Sequence, residues 1–180
     1  MKTRALIAVA LLSLTTLLHS VSAGAAPSAS PADGITRLMQ GNARFSAGKP
    51  KGPNRSSQRR QEVAAMQKPF AVIVSCSDSR VAPELLFDQG IGDLFVVRTA
   101  GHVVDDVALG SIEFALAKLG AGSILVLGHE RCGAVQAALE HTEVPGSIGK
   151  VLEAIKPAVG GPEKATPESL ERAARRTRRW

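Results

Sequence analysis

Three short apolar runs stand out along this chain, each rich in β-branched residues: Phe70-Ala71-Val72-Ile73-Val74, Leu94 to Arg98, and Ser123-Ile124-Leu125-Val126-Leu127. Runs of this length, bounded by turn-forming residues, read as buried strands. Around them the spacing changes to that of helices. Ile35, Leu38, Met39 and Phe45 predict an amphipathic first helix with Asp33 near its N-cap, weakened at its end by Gly41, Asn42 and Gly48. Lys49 to Gln61 is polar and bears Pro and Gly, a loop leading into a short helix around Gln61 to Met66. Pro83 suits the first turn of a helix from Pro83 to Phe87, and Asp88 to Asp93 then turns the chain. Asp105 or Asp106 can cap a helix through Leu119, carrying Leu109, Ile112, Phe114, Ala115 and Leu116 and closed by Gly120-Ala121-Gly122. Gly133 to Glu140 and Ile148 to Ile155 predict two further helices. Pro157 to Pro162 breaks the pattern, and Pro167 to Arg179 resumes it as a basic helix. Strand alternating with helix at these lengths argues for an α/β fold with right-handed crossovers and a mostly parallel β-sheet flanked by helices. No internal repeat is visible, and no fourth strand is predicted after residue 127.

Composition narrows the core. Apolar residues make up 44% of the 180, aromatics only 3%, and Tyr is absent, so the core is expected to be packed with Val, Ile, Leu and Ala. This length supports one domain and not two. The formal charge of +6 looks basic, but Lys2 and Arg4 lie at the start and Arg172, Arg175, Arg176, Arg178 and Arg179 crowd the end. No basic stripe with interleaved aromatics runs through the middle, which argues against nucleic acid as a partner. Lys2 and Arg4 precede the apolar stretch Ala5 to Leu18, and the small residues of Val21-Ser22-Ala23-Gly24-Ala25-Ala26 follow. This is the pattern of a secretory signal peptide, expected over residues 1–25, with cleavage after Ala23, Ala25 or Ala26. An uncleaved anchor is the competing reading, but the run falls short of the roughly 20 residues a membrane span needs. A flexible linker is expected over 26–34 and the folded domain over 35–180, in a protein exported to the periplasm or medium.

Export bears on the two cysteines, which in an oxidising compartment most often pair as a disulfide. Their neighbourhoods favour another role. Cys76 opens Cys76-Ser77-Asp78-Ser79-Arg80, and Cys132 closes Gly128-His129-Glu130-Arg131-Cys132-Gly133, each just after an apolar run. If the two runs are adjacent parallel strands, both thiols and the imidazole meet at the carboxyl edge of the sheet, where open α/β folds build their sites. Two thiolates and an imidazole suit zinc and leave a fourth position for water or substrate. Asp78 and Arg80 are close enough to pair beside such a metal. Asp78 can then orient a metal-side donor or swing into the fourth position, with Arg80 holding it back; a plain surface ion pair is the alternative. A redox dithiol would want a C-x-x-C motif, and a thiol phosphatase a longer, Gly-bearing loop between Cys76 and Arg80; neither is present.

These two segments resemble the signatures of the β-class carbonic anhydrases. The resemblance extends over about Ile35 to Ile155, through Leu38-Met39-Gln40-Gly41-Asn42-Ala43-Arg44-Phe45, Gly92-Asp93-Leu94-Phe95-Val96-Val97-Arg98 and Gly110-Ser111-Ile112-Glu113-Phe114-Ala115. It implies one Zn2+ per chain held by Cys76, His129 and Cys132, with Asp78 and Arg80 as the catalytic dyad. It also implies a substrate pocket drawn from Gln67, Val81, Phe95, Ala100 and Gly133. The implied reaction is CO2 + H2O ⇌ HCO3− + H+, and the implied assembly is a homodimer or higher homo-oligomer in which each N-terminal helix packs across its partner. Related sites also attack carbon disulfide or carbonyl sulfide, a different activity on the same scaffold. His102 stands where many relatives carry Asn and reads as a proton shuttle or as a buried structural histidine. Relatives continue beyond a segment like Pro167 to Arg179 with more helix, a strand pair and a final helix. The chain is therefore expected to lack the family's C-terminal strands, and a non-catalytic remnant that binds zinc or bicarbonate is the alternative to an active enzyme.

Overall fold

The computed structural model describes residues 30–160 and 165–176. The expected signal peptide and residues 26–29 of the expected linker lie outside them. Among the described residues, seven helices and three strands follow one another as α1 (Pro31–Ser46), α2 (Ser57–Glu62), β1 (Ala71–Cys76), α3 (Pro83–Leu86), β2 (Leu94–Thr99), α4 (Asp106–Leu119), β3 (Ile124–Leu127), α5 (Gly133–Leu139), α6 (Ile148–Val159) and α7 (Pro167–Arg176). A 3-10 turn, Ala100–His102, lies between β2 and α4. Among the described residues the sheet has the order β2-β1-β3, all parallel, with Ile73 opposite both Val96 and Leu125.

β1 is the axis of the domain, and every one of its residues is buried. Successive side chains of a strand alternate between faces. Ala71 and Ile73 accordingly pack with Leu38 and Phe87 on the α1–α3 side, whereas Val72 and Val74 pack with Ile112 and Ala115 of α4 on the other. A third cluster gathers the two thiols with Val135, Leu139, Leu152, Ile155 and Ala173, drawn from α5, α6 and α7. This aliphatic core is the one the composition predicts.

Four expectations need correction. The first helix starts at Pro31, so residues 31–34 are helical rather than linker; Ser30 is the N-cap and accepts from the N–H of Asp33, which stands near the cap as expected. The second helix covers Ser57–Glu62, because Ser56 caps it through the Arg59 N–H, and Ala64 to Met66 lie beyond it. β1 runs on to Cys76, placing the thiol on the strand rather than after it. α6 continues through Pro157 to Val159. A proline so close to a helix end forfeits one hydrogen bond, and the burial of Ile155 and Val159 outweighs it.

The first helix also exposes more apolar surface than its pattern implies. Leu38 is fully buried, worth about 1.5–3 kcal/mol, but Ile35, Met39 and Phe45 are all exposed. α1 is fixed instead by contacts at its waist. Gly41 lies so close to the Phe87 carbonyl that any Cβ would collide with it. Arg37 stacks over the Phe70 ring and donates to Gln89 and Asp93.

Around that helix runs a network the sequence does not announce. Asp88 is wholly buried and accepts from Arg44 Nε (2.6 Å) and from the N–H groups of Lys51 (2.9 Å) and Gly52 (2.8 Å). Asp93 accepts from Arg37, Asn54 and the Gly90 N–H. The two carboxylates pin the 49–56 loop to the turn between α3 and β2. The Lys51 N–H, with Arg44 and the Gly52 N–H, pulls the Asp88 carboxyl down to about 2 despite its burial.

Candidate metal centre

Three peptide turns at the carboxyl edge of the sheet converge on one point. Cys76 is the last residue of β1, level with Thr99 of β2. β3 ends at Leu127, and Gly128 and His129 follow it directly. The chain then doubles back through Arg131, which sits in the left-handed region at φ 54, so that Cys132 becomes the N-cap of α5. A bulky residue at positive φ is strained, and such strain gathers at functional sites. Here it shortens the path from His129 to Cys132. The result is that the side chains of Cys76, His129 and Cys132 bring one ligand atom each within 4.8 Å of one another.

The donor atoms are prepared for a cation. Cys76 and Cys132 are buried and free, with Sγ atoms 3.9 Å apart. That is well beyond the roughly 2.05 Å of a disulfide. His129 Nδ1 lies 2.9 Å from the Glu130 carbonyl oxygen, which can only accept. Nδ1 therefore carries the proton, and Nε2 holds a free lone pair. That Nε2 is buried with no hydrogen-bond partner. An orphaned buried acceptor costs free energy unless something binds it. Beside two thiols, it fits a thiophilic metal.

The two thiols share one hydrogen bond. The hydrogen bond from Cys132 draws the Cys76 thiol down against the opposing effect of burial, helped by the N–H groups of Asp78 and Gly101. Cys132 is pushed up because its proton is held by Cys76 and because it is buried, with the N–H groups of Val135 and Ala134 opposing. A bound cation would favour the thiolate form of both.

Asp78 stands at the rim, with Oδ2 3.9 Å from His129 Nε2. Arg80 grips it three times: its backbone N–H and Nε reach Oδ1, both at 2.9 Å, and a terminal nitrogen reaches Oδ2 at 2.7 Å. This Arg80 clasp holds the Asp78 carboxyl well below the usual carboxylate range. The same guanidinium donates to the Arg131 carbonyl, tying the dyad to the strained turn.

Comparison with known proteins shows the family. The carbonic anhydrase family model matches residues 71–179. Carbonic anhydrase 2 of Mycobacterium tuberculosis is 50% identical over 137 residues, covering 74% of this chain and 66% of that protein. The carbonic anhydrase of Mycolicibacterium smegmatis is 49% identical over 137 residues, with the same coverage. Among solved structures, the β-carbonic anhydrase CcaA superposes with a TM-score of 0.59 at 26% identity, over 79% of this chain and 69% of that one. The chain belongs to the β-class carbonic anhydrase family. One of the tetrameric β-carbonic anhydrases of Sordaria macrospora shares the fold as well, with a TM-score of 0.61 at 23% identity. The chain spans 66% of the length of the two mycobacterial carbonic anhydrases.

Of the residues expected on that resemblance, Cys76, His129, Cys132, Asp78 and Arg80 come together. Val81, half-buried, follows the dyad and donates its N–H to the Asp78 carbonyl. Ala100 lies one residue before Gly101, whose N–H donates to Cys76 Sγ at 3.3 Å, and Gly133 is the first residue of α5. Two expected pocket residues lie elsewhere. Gln67 is exposed in the segment before β1, and Phe95 packs with Val72 and Val74 near the amino end of β2. Phe95 is four residues from Thr99, about 13 Å along the strand. Within one chain, both are remote from Cys76. His102 is buried at 1% exposure, as its structural reading expects.

Proposed function

We propose that this chain catalyses the reversible hydration of carbon dioxide to bicarbonate and a proton, with one zinc ion held by Cys76, His129 and Cys132. The observation that carries the reading is the buried, unpartnered His129 Nε2, clustered with two thiols and rimmed by the Asp78–Arg80 pair. Two sulfurs and one nitrogen suit zinc and leave a position open. Zinc held there lowers the pKa of water towards about 7 and so supplies a nucleophile at neutral pH.

The chain's own groups do the rest. The Glu130 carbonyl fixes the tautomer and ring orientation of His129. Asp78, kept ionised by Arg80, is acceptor-only, so it takes a hydrogen bond from a water at the rim and turns that water's lone pair towards carbon dioxide. Val81, Ala100 and Gly133 supply a wall without competing polar side chains. Stopped-flow hydration measurements on purified, zinc-loaded protein test the reading. A zinc-dependent rate that falls about 10–100-fold in Asp78→Asn supports it. Zinc-loaded protein that hydrates no faster than buffer alone refutes it.

The same reading includes a homodimer and export. Ile35, Met39 and Phe45 leave an apolar stripe exposed on α1, as expected if that helix packs across a second copy. Gln67 and Phe95 can reach a metal pocket only if a second copy brings them there. Light scattering on eluted protein checks the assembly. Export rests on the leader pattern of Lys2, Arg4 and Ala5 to Leu18, and N-terminal sequencing of protein recovered outside the cytoplasm checks it. No helix among the described residues is long and apolar enough to cross a membrane.

A further inference from the structure

A single cation, placed where an apolar strand would want none, reaches the metal centre from behind. Arg98 lies on β2 opposite Ser75, between Val97 and Thr99, and is half-buried. Its Nε donates to the Cys76 carbonyl at 2.9 Å, and a terminal nitrogen donates to the Asp78 carbonyl at 2.6 Å. These carbonyls belong to a metal-ligating residue and to the carboxylate at the rim, two positions apart. β1 and β2 keep pairing as far as Ser77, whose N–H donates to Thr99. Beyond it the chain leaves the sheet, and Arg98 spans that departure.

We infer that Arg98 is a positioning residue of this site: its guanidinium fixes the peptide path from Cys76 to Asp78 and so sets where the carboxylate stands relative to the thiolate. Arg80 controls the Asp78 side chain, and Arg98 controls the backbone that carries it. Arg98 makes no contact with the Cys76, His129 or Asp78 side chains in the hydrogen bonds described, so its effect passes through the two residues whose carbonyls it holds. The planar fork matters more than the charge. Two donors at a fixed separation match two carbonyls, whereas a lysine offers one flexible point.

The kinetic part of this inference rests on the proposed hydration activity; the metal-binding part does not. The experiment compares Arg98→Gln and Arg98→Lys with the unaltered protein in zinc affinity, by competition with a chromophoric chelator, and in hydration kinetics and melting temperature. Arg98→Gln is expected to weaken zinc binding and lower kcat by about 10–100-fold each, with KM little changed. Arg98→Lys recovers only part of both. In an Asp78→Ala background, Arg98→Gln lowers kcat little further, because that loss runs through Asp78, while the affinity loss persists because it runs through Cys76. Wild-type affinity and kcat in Arg98→Gln overturn the inference. So do kcat losses that multiply independently of Asp78, as a purely structural role would produce. Should Arg98→Gln fail to fold, Arg98→Lys decides the matter: lower zinc affinity at an unchanged melting temperature supports positioning, and unchanged affinity refutes it. Unaltered protein that binds zinc without hydrating carbon dioxide defeats the proposed function, and the affinity comparison still tests Arg98.

Discussion

Substituting Gly101 by Ala strikes the metal centre and the helical layer behind it at once. Gly101 occupies the left-handed region at φ 65 and ψ 17, inside the 3-10 turn that follows β2. An L-residue there costs about 1–2 kcal/mol. The new Cβ would be driven into Ile155 Cδ1 and would lie 3.3 Å from Ala134 Cβ. Ile155 is wholly buried in the cluster that contains both thiols, so it has little room to yield. Overpacking of that kind adds about 1–3 kcal/mol, for a total of about 2–5 kcal/mol. At about 2–4 °C per kcal/mol for a chain of this size, the melting temperature should fall by about 4–20 °C. Thermal unfolding of metal-stripped protein isolates this from any change in zinc binding. Adding Ile155→Val removes the offending methyl and should return the steric share but not the backbone share. If the turn rather than α6 gives way, the Gly101 N–H also leaves Cys76 Sγ, and zinc affinity falls with stability. A Gly101→Ala protein that melts within about 1 °C of the unaltered one would refute both the strain and the packing arguments.

The other expectations can be stated briefly. Cys132→Ala should leave the fold in place and abolish stoichiometric zinc, read by atomic absorption after gel filtration. Arg80→Gln should keep its zinc yet lose about 10–100-fold in kcat, because Asp78 is then no longer held at the rim. Asp88 has a folded pKa below its unfolded one, so the stability it contributes is present above about pH 4 and is lost as pH falls towards about 2. Melting temperature should accordingly drop more steeply over that window in the unaltered protein than in Asp88→Asn, measured on metal-stripped samples.

Much of this architecture was legible from residue pattern because the decisive elements are driven by burial. The runs at Phe70, Leu94 and Ser123 have no amphipathic option and become the three parallel strands. The spacing of Cys76, His129 and Cys132 matters only at strand ends, where the hydrophobic pattern had already put them. What escaped notice involves partners far apart in sequence. The carboxylates of Asp88 and Asp93 read as ordinary turn residues, yet they anchor Arg37, Arg44 and the 49–56 loop, because hydrogen-bond partners 36 to 56 residues away leave no local trace. Arg98 carried a visible signal, a lone charge closing an apolar strand. A half-buried charge must find partners, but nothing in the sequence identifies them as the Cys76 and Asp78 carbonyls. α2 lies several residues upstream of its expected place because the Ser56 side chain caps it through the Arg59 N–H. The exposed face of α1 marks another boundary: an apolar stripe in the sequence does not tell whether its residues are buried within the same chain, and here Ile35, Met39 and Phe45 are not.

X-ray absorption at the zinc edge on the purified protein tests the central claim most directly, because it reports the identity of the donor atoms. The account predicts one zinc per chain with two sulfurs at about 2.3 Å and at least one nitrogen at about 2.0–2.1 Å, the sulfur signal halving in any preparation of Cys132→Ala that retains metal. A spectrum with no sulfur neighbours, or metal-free protein in which Cys76 and Cys132 have joined as a disulfide, would contradict it.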